Sequence, residues 1–303
     1  MTDSEDPLGS LVARSVGGEV RDVRSEELDS EDGIERKRLH FTRDGLETTA
    51  LFERSARGVV VEAQLLPFLA RKTERVPYVH SRGIPPAHVS LGPWLLLEDL
   101  SEAPDACEGD VADIVRAKIA IERAVAGDGP ALRALRVPVR TPPDVVRAAG
   151  GDTNAEEAAR ELTAWPLALV HGDLSCAHAR RADRGVVLVG WSAAHLGCGL
   201  LDAVRLAADL RGRGRPGDAD AVIDLYVAES GGPKDDALVR AAKRMDALLH
   251  GASRPWNGGP SRPDGRGGES RRGKSGLHRA GKRVTPVRRE ARTSATVTIR
   301  ASG

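Results

Sequence analysis

The densest group of reactive side chains lies between residues 167 and 206, LALVHGDLSCAHARRADRGVVLVGWSAAHLGCGLLDAVRL. An apolar run, Leu167 to Val170, leads into His171-Gly172-Asp173, and a second apolar run, Val186 to Val189, follows at hairpin distance. This pattern places a carboxylate on a loop at a strand end, beside a histidine. Such a carboxylate could take a proton from a substrate hydroxyl; a purely structural pairing of His171 and Asp173 reads the same pattern equally well. His171, Asp173, Cys176, His178, His195 and Cys198 also fall within 28 residues. Neutral imidazole and thiolate would suit zinc rather than magnesium. However, His-x4-Cys-x-His followed by His-x2-Cys follows no zinc signature, and such cysteines are more often small buried apolar residues.

The elements that must hold this loop are legible on both sides. Arg36 to Thr42 and Thr48 to Phe52 flank Asp44-Gly45, a strong hairpin signal. Val59 to Ala70 has helical spacing, and Trp94 to Leu97 forms a short apolar strand before Glu98-Asp99-Leu100. Val111, Ile114, Val115 and Ile119 mark one helix face. Thr153 or Asn154 could cap a helix through Glu161, with Glu156 or Glu157 completing a capping box. Asp236 to His250 reads as the last helix, with Gly251 at its C′ position. Strands and one helix come first and mostly helices follow, so the fold class is α+β, a small β-rich part followed by a larger helical one.

Three segments resemble the aminoglycoside phosphotransferases and related small-molecule kinases, which share the protein-kinase fold. Leu169-Val170-His171-Gly172-Asp173-Leu174 is similar to the family's catalytic loop, and Trp94 to Leu100 to its hinge. Leu200-Leu201-Asp202 with Val204 is similar to the start of the helix after its metal site. The resemblance covers roughly residues 15–250. It implies a two-lobed architecture with residues 1–100 as the nucleotide lobe and 101–250 as the helical lobe. It also implies ATP and Mg2+ as cofactors and a small-molecule hydroxyl acceptor, if the chain is active. Asp173 would then orient the acceptor hydroxyl, His171 would shape the loop, and Asp202 would hold the loop backbone. Glu98, Asp99 and Leu100 would offer backbone groups to an adenine ring.

Several positions depart from the family. In kinase-type transfer a strand Lys and a helix Glu organise the phosphates, while an Asn and a second Asp hold magnesium. Five residues after Asp173, where the Asn belongs, stands His178; Gly190 stands in place of the second Asp. The strand Lys aligns with Glu53, or with Arg54 after a one-residue shift, and its helix partner would be Glu62. Asp32-Gly33-Ile34-Glu35 supplies one glycine to the phosphate turn. Glycine has no side-chain donor, and neutral imidazole is a poor ligand for magnesium. Metal assistance contributes several kcal/mol, so transfer should be very slow. The expected function is therefore an impaired kinase-fold protein, a pseudokinase-like binding or regulatory module with possibly no cofactor, or a decayed enzyme. The first rival is an active O-kinase that recruits metal through Asp173 alone or through Asp183.

Composition bounds the rest. The 303 residues are 40% hydrophobic, 29% charged and only 3% aromatic, so a core must rest on Leu, Val, Ile and Ala. No apolar run approaches transmembrane length. The first ten residues lack an apolar signal core. Cys107, Cys176 and Cys198 cannot form a closed disulfide framework, so a cytoplasmic, reducing location is expected. Residues 251–303 hold 13 Lys/Arg against 3 Asp/Glu, which leaves 32 against 41 for residues 1–250. This Gly/Arg-rich tail is expected to be disordered. It is a solvated extension, a reading-frame artefact, or a contact for an acidic or nucleic-acid partner; the last makes a nucleic-acid binder the second rival.

Overall fold

The computed structural model describes residues 7–28, 34–55, 60–85 and 92–250. The tail beyond residue 250 and the Asp32-Gly33 turn lie outside the described residues. The first part contains α1 (Pro7–Val16), β1 (Val20–Leu28), β2 (Ile34–Arg43), β3 (Leu46–Ser55), α2 (Val60–Leu69), β4 (Val79–Gly83) and β5 (Trp94–Glu98). Its five strands form one antiparallel sheet in the order β1-β2-β3-β5-β4. Asp44 and Gly45 make the β2–β3 turn with left-handed backbone, φ 50° and 84°, as a two-residue hairpin turn of this hand requires.

The pleat assigns each strand residue to one of two faces. Leu39, Phe41, Ala50, Phe52 and Leu96 pack on Val12 and Val16 of α1. Leu95 and Leu97 point the other way and join Leu65, Leu66 and Leu69 of α2 in the main core. Since a one-residue shift reverses the face, Glu53 stands on the α2 side, whereas Arg54 pairs with Glu35, Nε to Oε2 2.7 Å. Of the two residues, Glu53 is therefore the one on the inner face.

The second part contains α3 (Ala112–Ala124), α4 (Gly129–Ala134), α5 (Pro142–Ala148), α6 (Thr153–Glu161), β6 (Leu167–Val170), β7 (Ala179–Ala182), β8 (Gly185–Leu188), β9 (His195–Cys198), α7 (Leu200–Gly212), α8 (Pro216–Glu229) and α9 (Asp236–His250). Two expectations need correction. Asp152, one residue before Thr153, caps α6 by accepting the Ala155 N–H at 2.9 Å. The run at Val186 does not pair with β6: β6 pairs with β9, and β8 pairs with β7. No helix among the described residues is long and apolar enough to cross a membrane.

The cysteines also depart from expectation. Packing of a short 3-10 turn at Ala106–Glu108 brings Cys107 to Cys176, and the two form a disulfide with Cα atoms 5.5 Å apart. Cys198 remains a buried thiol. A cross-link that closes a loop of this size constrains the unfolded chain and typically contributes about 2–4 kcal/mol. Thiol titration of the denatured, unreduced protein should therefore count one free thiol, rising to three after reduction. The Cys107→Ser variant should melt several degrees below the oxidised parent.

Candidate functional site

Strand β6 ends at Val170 and delivers His171-Gly172-Asp173 into a loop whose backbone is held from below. Asp202, in the first turn of α7, accepts the His171 N–H at 2.7 Å on Oδ2 and the Gly172 N–H at 2.9 Å on Oδ1. Lys118 of α3 lies 3.1 Å from Asp202 Oδ2, donates to Leu169 O at 2.8 Å and pairs with Glu122. Glu122 in turn accepts the Tyr226 hydroxyl at 2.7 Å. Lys118 and Asp202 are each only 1% exposed. Burial pushes the Lys118 ammonium down, but Glu122 and Asp202 outweigh it and hold its pKa above the ordinary value. The sequence reading missed Lys118 and Glu122. The available signal was a pair of charged residues four apart on the stripe occupied by Ile114, Val115 and Ile119.

His171 spends both ring nitrogens on backbone. Nε2 donates to Val189 O at 2.9 Å, and Nδ1 accepts the Asp173 N–H at 3.3 Å. Burial drives its pKa down to about 4, so the ring is neutral. Asp173 is half-exposed, and its Oδ1 accepts from Arg205 Nε at 3.0 Å. The six proposed zinc ligands do not converge. Among the described residues, the one group of three metal-ligating side chains within reach of one another is Asp105, Cys107 and Cys176, whose cysteines are bonded to each other.

On the opposite side of the loop, a cavity of about 270 Å³ lies between the sheet and the second part. Leu51, Glu53, Leu97 and Glu98 line it from the strands, Leu100 from the segment after β5, and Glu62 from α2. His178, Arg180 and Gly190 close it from below. Asp99 does not line it; Asp99 accepts from Arg38 Nε at 2.9 Å and from the Ser101 N–H at 3.0 Å. The Glu98 N–H already donates to Tyr78 O at 2.9 Å. Asp183 sits in the β7–β8 turn, outside the cavity lining. Beside it, Arg184 donates to Glu98 Oε1 at 2.7 Å and to Glu74 O at 2.9 Å, and lies 4.2 Å from the centroid of the Tyr78 ring. The tip of the β7–β8 hairpin is thereby fastened to the segment that joins the two parts.

The two glutamates define the cavity's electrostatics. Glu53 accepts from Arg36 Nε at 2.9 Å, across the β2–β3 register. Glu62 turns neither to Arg54 nor to solvent. It is buried and accepts the Trp191 N–H at 2.7 Å. Burial, reinforced by the Glu53 charge, pushes its pKa up to about 8. This hydrogen bond joins α2 to the segment after Gly190.

The residues present do not fit a magnesium site. Gly190 has φ +75°, and a Cβ placed there would lie 2.7 Å from His178 Cδ2. The imidazole therefore occupies the space a metal-binding carboxylate would need. His178 Nδ1 is itself bound to Asp173 O at 2.7 Å and Ser175 Oγ at 3.1 Å. Neither position presents an oxygen to a hard cation, which requires one.

No protein-family model matches the sequence, and no curated protein matches it. Solved structures do match in three dimensions. A choline kinase from Cryptosporidium parvum Iowa II superposes with a TM-score of 0.55 at 9% identity, covering 80% of this chain and 86% of that one. An amicoumacin kinase in complex with AMP-PNP, Ca2+ and Ami gives 0.53 at 11% identity, over 80% and 83%. A spectinomycin phosphotransferase in complex with ADP and spectinomycin gives 0.50 at 7% identity, over 80% and 85%. The chain has the protein-kinase-like phosphotransferase fold. Within that fold, the cavity stands between the sheet and the second part, and the Asp202–Lys118 pair of α7 and α3 holds the HGD loop from beneath.

Two outcomes follow. Replacing Lys118 with Met leaves Asp202 and Glu122 buried without their cation, so chemical denaturation should show a loss of about 3–5 kcal/mol. A raised Glu62 pKa means that the folded chain keeps a proton that the unfolded chain releases near 4.5, so this stability is present at low pH and lost as pH rises through about 8. The melting temperature should fall over that window. Glu62→Gln should flatten the fall and melt above the parent at pH 9, because the amide oxygen still accepts the Trp191 N–H.

Proposed function

We propose that this kinase-fold protein does not transfer phosphate and acts instead as a ligand-binding or regulatory module. The observation that carries this reading is the His178 ring standing over Gly190, the two positions at which the resemblance expects metal ligands. Two further features support it. Glu53 stands where the resemblance puts the phosphate-binding strand cation, and its charge adds to burial in raising the pKa of Glu62. Asp173, the acceptor-orienting residue on the resemblance, is held by Arg205.

The competing reading is an active small-molecule O-phosphotransferase. Asp173 favours it, since it keeps a half-exposed carboxylate on a loop that Asp202 holds rigid. That reading needs Mg2+, which conventional kinases hold with an Asn and an Asp. The structural neighbours are named for small acceptors such as choline and spectinomycin; the corresponding ligand class here is a small hydroxylated molecule beside Asp173.

Incubation with Mg2+, radiolabelled ATP and a panel of amino alcohols, aminoglycosides and sugars should give no acceptor-dependent transfer. Measurable Mg2+-dependent phosphorylation of any acceptor overturns the proposal. Restoration of the metal ligands offers a second check. Gly190→Asp alone should not confer Mg2+-dependent stabilisation by ATP, since the new side chain meets His178 and sits at a left-handed φ. The double variant His178→Asn with Gly190→Asp removes the imidazole and supplies two oxygens, and should confer it.

A further inference from the structure

The β7–β8 hairpin has a second face, turned away from the cleft. Arg180 lines the cavity described above, whereas Arg181, the next residue of β7, lines a separate hollow of about 390 Å³ on the other side. Three guanidinium groups border this hollow: Arg75 from the segment between α2 and β4, Arg116 from α3, and Arg181. Among the described residues, Asp113 is the one carboxylate in the lining, and two arginines share it. Its Oδ2 accepts from Arg181 Nη1 at 3.2 Å, and its Oδ1 lies 3.8 Å from Arg116 Nη1. Arg116 also reaches Glu229, Nε to Oε1 3.4 Å. Arg75 has no carboxylate partner among the described residues and donates to Arg184 O. Three arginines against Asp113 leave an excess of two positive charges in the lining, and of one when Glu229 is included.

Two glycines clear the space these side chains use. A Cβ at Gly185, whose φ is +98°, would meet Arg75 Nη1, and one at Gly109 would meet Arg181 Nη2. That Nη2 is buried and has no hydrogen-bond partner among the described residues. A buried donor without an acceptor is costly, so the Arg181 guanidinium is short of an oxygen that the shared Asp113 does not supply. Planar guanidinium forks match phosphate oxygens two at a time. The hollow falls within the range of small-molecule sites, roughly 300–1,000 Å³. Ala117, Ala120 and Val186 supply an apolar patch beside the charged groups.

We infer that this hollow is a binding site, separate from the cleft, for a phosphate group carried free or on a small phosphomonoester. Arg116 and Arg75 close on the phosphate oxygens beside Arg181, and an organic substituent rests on Ala117, Ala120 and Val186. A phosphate held here bridges α3, the hairpin and the segment between α2 and β4, so its binding stabilises the junction of the two parts. The inference stands apart from the proposed function, since it depends neither on what the cleft binds nor on whether the chain transfers phosphate.

The test is thermal melting of the full chain at constant ionic strength, titrated with phenyl phosphate, with inorganic phosphate and with phenol. Phenyl phosphate should raise the melting temperature, whereas phenol, and sodium chloride in place of phosphate, should not. Arg116 is exposed, so its substitution leaves the core intact. Arg116→Glu should weaken the apparent affinity by roughly tenfold or more, and Arg116→Gln by less, which separates charge repulsion from loss of contact. Arg133→Glu, at an exposed position outside this lining, should leave the titration unchanged, as should Arg180→Gln, which removes a guanidinium of the cleft. Tighter binding of phenyl phosphate than of inorganic phosphate identifies an esterified phosphate as the ligand; equal binding identifies free phosphate. The inference is overturned if neither phosphate stabilises the chain, if phenol or chloride matches phenyl phosphate, if Arg116→Glu leaves the titration unchanged, or if Arg180→Gln abolishes it.

Discussion

Lys118 and Asp202 form a buried ion pair, Nζ to Oδ2 3.1 Å, and the placement of the HGD loop depends on it. Asp202 holds two successive backbone N–H groups, those of His171 and Gly172. Lys118 compensates the charge that makes this grip strong and also ties Leu169 O, the carbonyl two residues upstream of the loop. Desolvating two ions is costly unless their remaining hydrogen-bonding capacity is met. Here Glu122, Tyr226 and three backbone groups meet it. Loop geometry is thus set by α3 and α7 together, from beneath, and does not rely on anything occupying the cavity above.

That separation means that the cleft chemistry can differ without disturbing the kinase-like fold around it. The loop scaffold and the cleft chemistry rest on different residues. Glu53, His178 and Glu62 each have a local partner in the cleft. Glu53 pairs with Arg36, His178 with Asp173 O, and the Glu62 carboxyl with the Trp191 N–H. Buried polar groups without partners are expensive. The polar groups of the cleft are therefore satisfied by one another and by backbone, Glu53 by Arg36 and Glu62 by the Trp191 N–H.

Much of this was legible in the sequence where a periodic or turn signal was strong. The Asp44-Gly45 hairpin, the apolar strand at Trp94 and the helix over Asp236–His250 each combine a pattern with a punctuating residue. Strand β1, VRDVRSEEL, escaped because only Val23 is buried along it, so no alternation marks a face. The partners of β6 and β8 escaped because four-residue strands carry too little pattern to choose between neighbours. At the site, the identities of His178 and Gly190 were readable from their offsets. That one ring fills the space left by the other residue was not, since it depends on a left-handed backbone at position 190. Arg36 and Arg180 were invisible as cavity-lining residues because register and strand pairing, not spacing, bring them to one cavity. The Cys107–Cys176 bond spans 69 residues and needed the tertiary fold to be seen.

Arg184 at the tip of the β7–β8 hairpin grips the Glu98 carboxylate, two backbone carbonyls and the face of Tyr78. Arg75 returns the grip by donating to Arg184 O at 2.5 Å. Domains of two-part enzymes usually rock about such a connecting segment to admit and release what they hold. Rotation of the sheet against the hairpin about this segment would have to break the ion pair, the carbonyl bonds and the ring contact together, so the latch resists opening of the cleft.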